Sequence, residues 1–430
     1  MTAATGRSKS KKSAASASVD ADELRLRGRV ADVGSLLSQR VKRLIDAVPG
    51  QPKGPVELAK AVGVNKVLTS RVLRAIDRDD PVAGLHTMPG PDPIRQLAHL
   101  AGKKGVDRRL VREVEDAASA FDNLIRIEAG DRSGFDALLA AWLPEQRGEF
   151  ELRRRQAAFK STSQLRGQQC RTYFTAAFVH PSATKPGVLD IVWVISYLGL
   201  QRLRPGVTLK FASRRVPPAQ AKGKTGSAKS KPRQLETLDG QRVDGYDGLM
   251  VQRYSSEPAP SLAVRPAGEV IHYTLGETGF GPRSVTDLTM VEVGRGELPA
   301  KVSPEHAGAL RHFFAEVNVP SKQMIFDLYL AGVDGEQTPT LHIYDTAFEG
   351  IASVNDRARD IDRLETSDRI EPITEDSSLP AVPWHDELLD DICTRLGWPR
   401  DAFTGHRVQI DYPIYGTQAT LAYPAPVAGL

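Results

Sequence analysis

Pro55-Val56-Glu57-Leu58-Ala59-Lys60-Ala61-Val62-Gly63-Val64-Asn65-Lys66-Val67-Leu68-Thr69-Ser70-Arg71-Val72-Leu73-Arg74-Ala75-Ile76 decides the fold of the N-terminal part of this chain. Pro55 suits a first helical turn, where its missing N–H has no intrahelical partner. The spacing predicts a short helix over 56–62. Gly63 then supplies the positive φ that lets the chain reverse cheaply. A second helix is predicted over 65–76, with Leu68, Val72, Leu73 and Ile76 inward and Asn65, Lys66, Ser70, Arg71 and Arg74 outward. Two helices joined by a tight glycine turn, the second polar and basic on its outer face, are what a helix-turn-helix needs to enter a DNA major groove.

Around this stretch the charge is lopsided. Between Leu36 and Arg78 there are nine basic residues and three acidic ones, in a chain of 430 residues with a formal net charge of only +4. From Glu371 onward three arginines face nine carboxylates. Local positive charge beside a helix-turn-helix is what attraction to phosphate requires. Asn65 and Lys66 stand at the end of the second helix expected to meet base edges. Ser70, Arg71 and Arg74 follow at helical spacing. Arg40, Lys42, Arg43 and Lys60 are the candidate phosphate clamps. The alternative for all nine is a solvated face on a helical unit that only packs or dimerises.

Leu58-Ala59, Gly63-Val64 and Ser70-Arg71-Val72-Leu73 resemble the helix-turn-helix of bacterial transcriptional regulators of the IclR and MarR kinds. The small Ala59, the turn Gly63 and the apolar Val62, Val64 and Val72 fall where that pattern places them. Thr69 departs from it, standing where a larger apolar residue is usual. The resemblance covers about residues 36–92. It implies a dimeric regulator with a separate C-terminal module for an effector or for assembly.

The remaining chain reads as α+β in order. Residues 1–30 are expected to be a disordered basic tail, with Arg7, Lys9, Lys11 and Lys12. A first ordered helix is predicted over 35–48 and stopped by Pro49-Gly50, and the helix-turn-helix domain over 31–103. Leu85 to Met88 reads as a short strand. Residues 104–168 are expected to be a helical connector. In it Leu110, Val114, Ala117, Phe121 and Leu124 step as two heptads of a dimerisation seam, and Phe135, Leu138, Leu139, Trp142 and Leu143 form a second helix. Arg153-Arg154-Arg155 reads as a solvated face.

Residues 169–430 are expected to form a mixed α+β domain with a largely antiparallel sheet. Strands are predicted over 173–179, 191–198, 207–212, 249–254, 270–274, 287–293, 324–330, 341–344, 408–412 and 417–423. Ser303-Pro304-Glu305 reads as the opening of a helix that buries Leu310, Phe313, Phe314 and Val317. A last helix carries Leu388, Leu389, Ile392 and Leu396 and stops at Gly397. Residues 216–234, with Lys222, Lys224, Lys229, Lys231 and Arg233, read as a flexible loop.

Catalytic signatures are mostly absent from the sequence. There is no Gly-x-Ser-x-Gly elbow, no Walker loop and no His-Glu-x-x-His. Gly276-Glu277-Thr278-Gly279-Phe280-Gly281 reads as a tight turn, and the acidic residues of Trp384-His385-Asp386-Glu387 as partners of a helix dipole. Cys170 and Cys393 have no ligand spacing and no disulfide framework, which fits a reducing, cytoplasmic compartment. No catalytic residue, metal ligand or cofactor is assigned. The expected partners are double-stranded DNA, a small-molecule effector and a second copy of the chain, without a membrane. The competing readings are an enzyme whose helix-turn-helix serves only for dimerisation, and a structural assembly protein.

Overall fold

The computed structural model describes residues 6–215, 235–267, 270–276, 279–332, 338–346, 352–374 and 377–429, without the side chains of 6–21, 144–146 and 214–215. The chain divides into two compact units, Met1–Phe150 and Glu151–Leu430. The fold is α+β: helices dominate the first unit and a mixed, largely antiparallel set of sheets the second. The lysine-rich stretch 216–234 lies outside the described residues.

The N-terminal unit is built from α1 (Gly6–Asp46), α2 (Pro55–Val62), α3 (Lys66–Ile76), α4 (Pro81–Thr87), α5 (Pro91–Lys103), α6 (Arg108–Glu128) and α7 (Arg132–Trp142). α8 (Pro144–Arg166) crosses into the second unit. One core joins Leu37, Val41 and Leu44 of α1 to Leu58 and Val62 of α2, Val72 of α3, Leu85 of α4 and Phe121 of α6. α1 is helical from Gly6, so the expected tail boundary near residue 30 falls inside a helix. Val30 is fully buried, and Leu26 and Val33 pack on the same core. Those three apolar residues recur at helical steps and extend the face that begins at Leu37.

Three expectations for this unit change. Leu85–Met88 is not a strand. Asp80 caps α4, its carboxylate accepting from Val82 N–H at 2.9 Å, and Pro81 opens the helix; the Asp-Pro pair starts one helix instead of only ending the previous one. α4 and α5 occupy the place in the chain where a winged motif has its hairpin. The seam of α6 is used inside its own unit: Val114, Ala117, Phe121 and Leu124 are buried in the common core, with Leu110 packed against it. The heptad steps mark a core-facing stripe, so α6 does not offer that stripe to a second chain. The expected connector 104–168 is likewise not a separate piece, because α6 and α7 belong to the N-terminal unit.

The second unit contains β1 (Gln168–Pro181), β2 (Val188–Arg202), β3 (Lys210–Arg215), β4 (Leu235–Glu236), β5 (Arg242–Val243), β6 (Leu262–Ala267), β7 (Val270–Leu275), β8 (Thr286–Pro299), β9 (Leu310–Glu316), β10 (Ser321–Ala331), β11 (Thr340–Asp345), β12 (Arg363–Leu364), β13 (Ile370–Ile373), α9 (His385–Leu396), β14 (Phe403–Asp411) and β15 (Thr417–Pro424). An eight-stranded sheet runs β13-β14-β10-β1-β2-β8-β4-β5, with β1 and β10 its parallel pair. Sheets β12-β11-β15-β9 and β3-β7-β6 are smaller and antiparallel. Both contribute to the core on one face of the large sheet, where Phe313, Leu421 and Tyr273 meet Tyr173, Tyr197 and Phe326. α9 covers the other face, packing Leu388, Leu389 and Ile392 against Phe174, Phe178 and Tyr329.

Two elements differ from the sequence reading here. Residues 249–254 lie in two short 3₁₀ turns, Tyr246–Leu249 and Gln252–Tyr254, held to β8 by a Met250–Met290 bridge and by hydrogen bonds from Val251 N–H to Thr289 O and from the Thr289 hydroxyl to Tyr254 O. Ser303-Pro304-Glu305 opens only a single 3₁₀ turn, Pro304–His306, and the apolar residues after it lie on β9. Alternate burial of Arg311, Phe313 and Ala315 along β9 is a period of two. The clustered aromatics mimic a helix face when only large residues are counted.

Candidate nucleic-acid interface

α2 and α3 are joined as the sequence requires. Gly63 adopts φ 88° and ψ 39°, and its N–H closes α2 on Ala59 O. A side chain at 63 would meet no neighbouring atom, so glycine is required there for its backbone alone. Asn65 caps α3, its Oδ1 accepting from Leu68 N–H at 2.8 Å. The Asn65 carbonyl oxygen of the side chain is therefore engaged locally. Thr69, the departure from the usual pattern, is fully buried and donates to Pro55 O at 2.7 Å and Lys66 O at 3.0 Å. The hydroxyl ties the start of α3 to the start of α2, which an apolar residue cannot do.

The two faces of α3 separate cleanly. Thr69, Val72 and Ala75 are buried, while Asn65, Lys66, Arg71 and Arg74 are exposed and Ser70 is half-buried. Arg74 Nε donates to Ser70 O at 3.3 Å, laying the guanidinium along its own helix. Near this face lies Arg132, which the sequence did not single out. It donates to Leu85, His86 and Met88 carbonyls at 3.1–3.3 Å and so closes the C-terminal end of α4. Burial lowers its pKa, Asp136 opposes that, and the charge of Arg71 adds to the lowering.

The four candidate clamps divide into two pairs. Lys42 and Lys60 are exposed. Arg40 and Arg43 both reach Glu113 of α6, Arg43 at 3.0 Å, and Arg109 joins them at 3.2 Å. Burial raises the Glu113 carboxyl pKa, but the charges of Arg40 and Arg43 outweigh it and hold the net value below the ordinary 4.5. These two arginines tie α1 to α6.

The second unit holds an ionic constellation that the sequence reading missed. Asp327 on β10 and Arg407 on β14 are paired in register, so both project from the same face. Asp327 is completely buried; it accepts from Arg407 Nε and Nη2, each at 2.7 Å, and lies 3.1 Å from His385 Nε2. Tyr329 OH lies 3.2 Å from Asp327 and 3.0 Å from His385. His385 is thus a member of a buried network, not merely part of a helix-opening acidic run. Burial pushes the Tyr329 hydroxyl pKa well up; for Arg407 burial pulls downward, but Asp327 outweighs it and the net shift is upward. The four side chains satisfy one another, which is what a buried charge demands. Arg155 of α8 is likewise not on a solvated face: it forks onto Asp368 at 2.8 and 3.3 Å.

Beside Arg407 a cleft of about 400 Å³ is lined by Gln323, Glu371, Ser377 and Gln409. A neighbouring cleft of about 620 Å³ is lined by Arg171, Lys322, Asp411 and Tyr412. No helix among the described residues is long and apolar enough to cross a membrane. Comparisons with models of protein families, with curated proteins and with solved structures gave no match.

Proposed function

We propose that this chain is a cytoplasmic, sequence-specific regulator that binds double-stranded DNA through α3. The observation that carries the reading is the division of α3. One side is locked into the core by Thr69, Val72 and Ala75, and the other presents Lys66, Ser70, Arg71 and Arg74 outward. Arginine at such positions can fork onto guanine O6 and N7, and lysine can neutralise phosphate. Lys42 and Lys60 serve as phosphate contacts. Arg40 and Arg43 hold α1 in place through Glu113. The functional form is a homodimer reading two half-sites, assembled through a surface other than the α6 seam. The clefts beside Arg407 and Lys322 are the places in the second unit where a small-molecule effector would bind.

The test is binding of the purified full chain to duplex DNA at low ionic strength. Arg71→Ala and Arg74→Ala are each expected to weaken a selected site by about 1–3 kcal/mol where they reach bases. Binding that ignores both substitutions refutes the assignment of α3.

A further inference from the structure

The exposed stripe of α3 contains one residue that neither charge nor hydrogen bonding explains. Val67 is 68% exposed and stands outside the core that takes Leu68, Val72, Leu73 and Ile76. Positions 67, 70, 71 and 74 step by three, one and three, so Val67 shares a single helix face with Ser70, Arg71 and Arg74. That face lies opposite Thr69, Val72 and Ala75. A β-branched residue is a poor choice for a solvent-facing helical position, because it loses side-chain freedom against the preceding turn. Local stability therefore gives no reason for valine there. A partner with an apolar group between hydrogen-bonding edges does.

We infer that Val67 contacts the C5-methyl group of a thymine, so that the recognised duplex carries an obligatory thymine beside the bases met by Ser70 and Arg71. In the major groove the thymine methyl is the one apolar feature a base edge offers, and a small aliphatic side chain is its complement. Val67 lies in the first turn of α3, one residue after the helix begins, and the N-terminal residues of a recognition helix are the ones that contact base edges. This inference rests on the DNA-reading proposal above and adds to it which base chemistry the site must contain.

The experiment selects duplexes from a random-sequence pool with the full chain, then replaces each thymine of the selected site by deoxyuridine in turn. Deoxyuridine removes the methyl group and keeps every hydrogen-bonding edge. One such replacement is expected to weaken wild-type binding about fourfold, the worth of one buried methyl group. Val67→Ser, at an exposed position, is expected to bind the unmodified site about as weakly and to lose nothing further on that replacement. A selected site in which every thymine methyl is dispensable overturns the inference and leaves the DNA reading standing. So does a methyl dependence that survives undiminished in Val67→Ser. Failure to enrich any duplex overturns the DNA reading itself.

Discussion

Replacing Asp327 by asparagine keeps the shape of the side chain and removes its charge. In the folded chain Asp327 is completely buried and receives two 2.7 Å hydrogen bonds from Arg407, whose side chain is itself only 10% exposed. Asparagine can accept one of those bonds, but its amide group turns a donor toward the other guanidinium nitrogen. Arg407 is left as a buried cation without a counter-charge. Breaking one partner of such a pair costs about 3–5 kcal/mol, a large share of the roughly 5–15 kcal/mol by which a folded domain is stable. Urea unfolding followed by tryptophan fluorescence reads this directly, because Trp384 and Trp398 lie in or against the same core layer. Asp327→Asn is expected to unfold at clearly lower urea, with an unchanged slope. The double variant Asp327→Leu with Arg407→Met is expected to recover most of the loss, since an apolar pair of similar volume replaces buried ions at little cost. An Asp327→Asn midpoint equal to wild type would refute the reasoning.

Smaller effects are expected around α3. Asn65→Ala removes the helix cap and is expected to cost about 1 kcal/mol in thermal or denaturant unfolding. Thr69→Val removes the part-buried hydrogen bond to Pro55 O and is expected to cost about 1 kcal/mol. Gly63→Ala is expected to cost about 1–2 kcal/mol through backbone strain alone, since no neighbouring atom stands in the way. Glu113 adds a pH dependence. Its folded pKa lies below the ordinary 4.5, so its stabilisation is present above that value and is lost as pH falls through the folded value. An acid titration of unfolding midpoints is expected to show this loss in wild type and not in Glu113→Gln.

The two helices α2 and α3 and the turn at Gly63 between them were legible because their determinants are local. Gly63 and Asn65 act within a few residues of themselves. The α6 stripe was legible as a pattern but not as a destination, because heptad steps do not say whether the facing helix belongs to the same chain. Arg311 to Glu316 misled for a similar reason: the adjacent pair Phe313-Phe314 puts one ring on each face of a strand, which a count of large residues reads as one helical side. The Asp327 network was out of reach. Its members come from β10, α9 and β14, with His385 58 residues and Arg407 80 residues from Asp327. Only strand register, which one sequence does not reveal, brings them together.

The central claim, that α3 engages a nucleic-acid duplex, is tested most directly by the salt dependence of duplex affinity in wild type and in a variant carrying Lys66→Ala, Arg71→Ala and Arg74→Ala together. The account predicts that log affinity falls linearly with log salt in wild type, and that the slope shrinks by about 0.9 for each phosphate contact the variant loses. An affinity indifferent to salt, or a slope the triple substitution leaves unchanged, contradicts it.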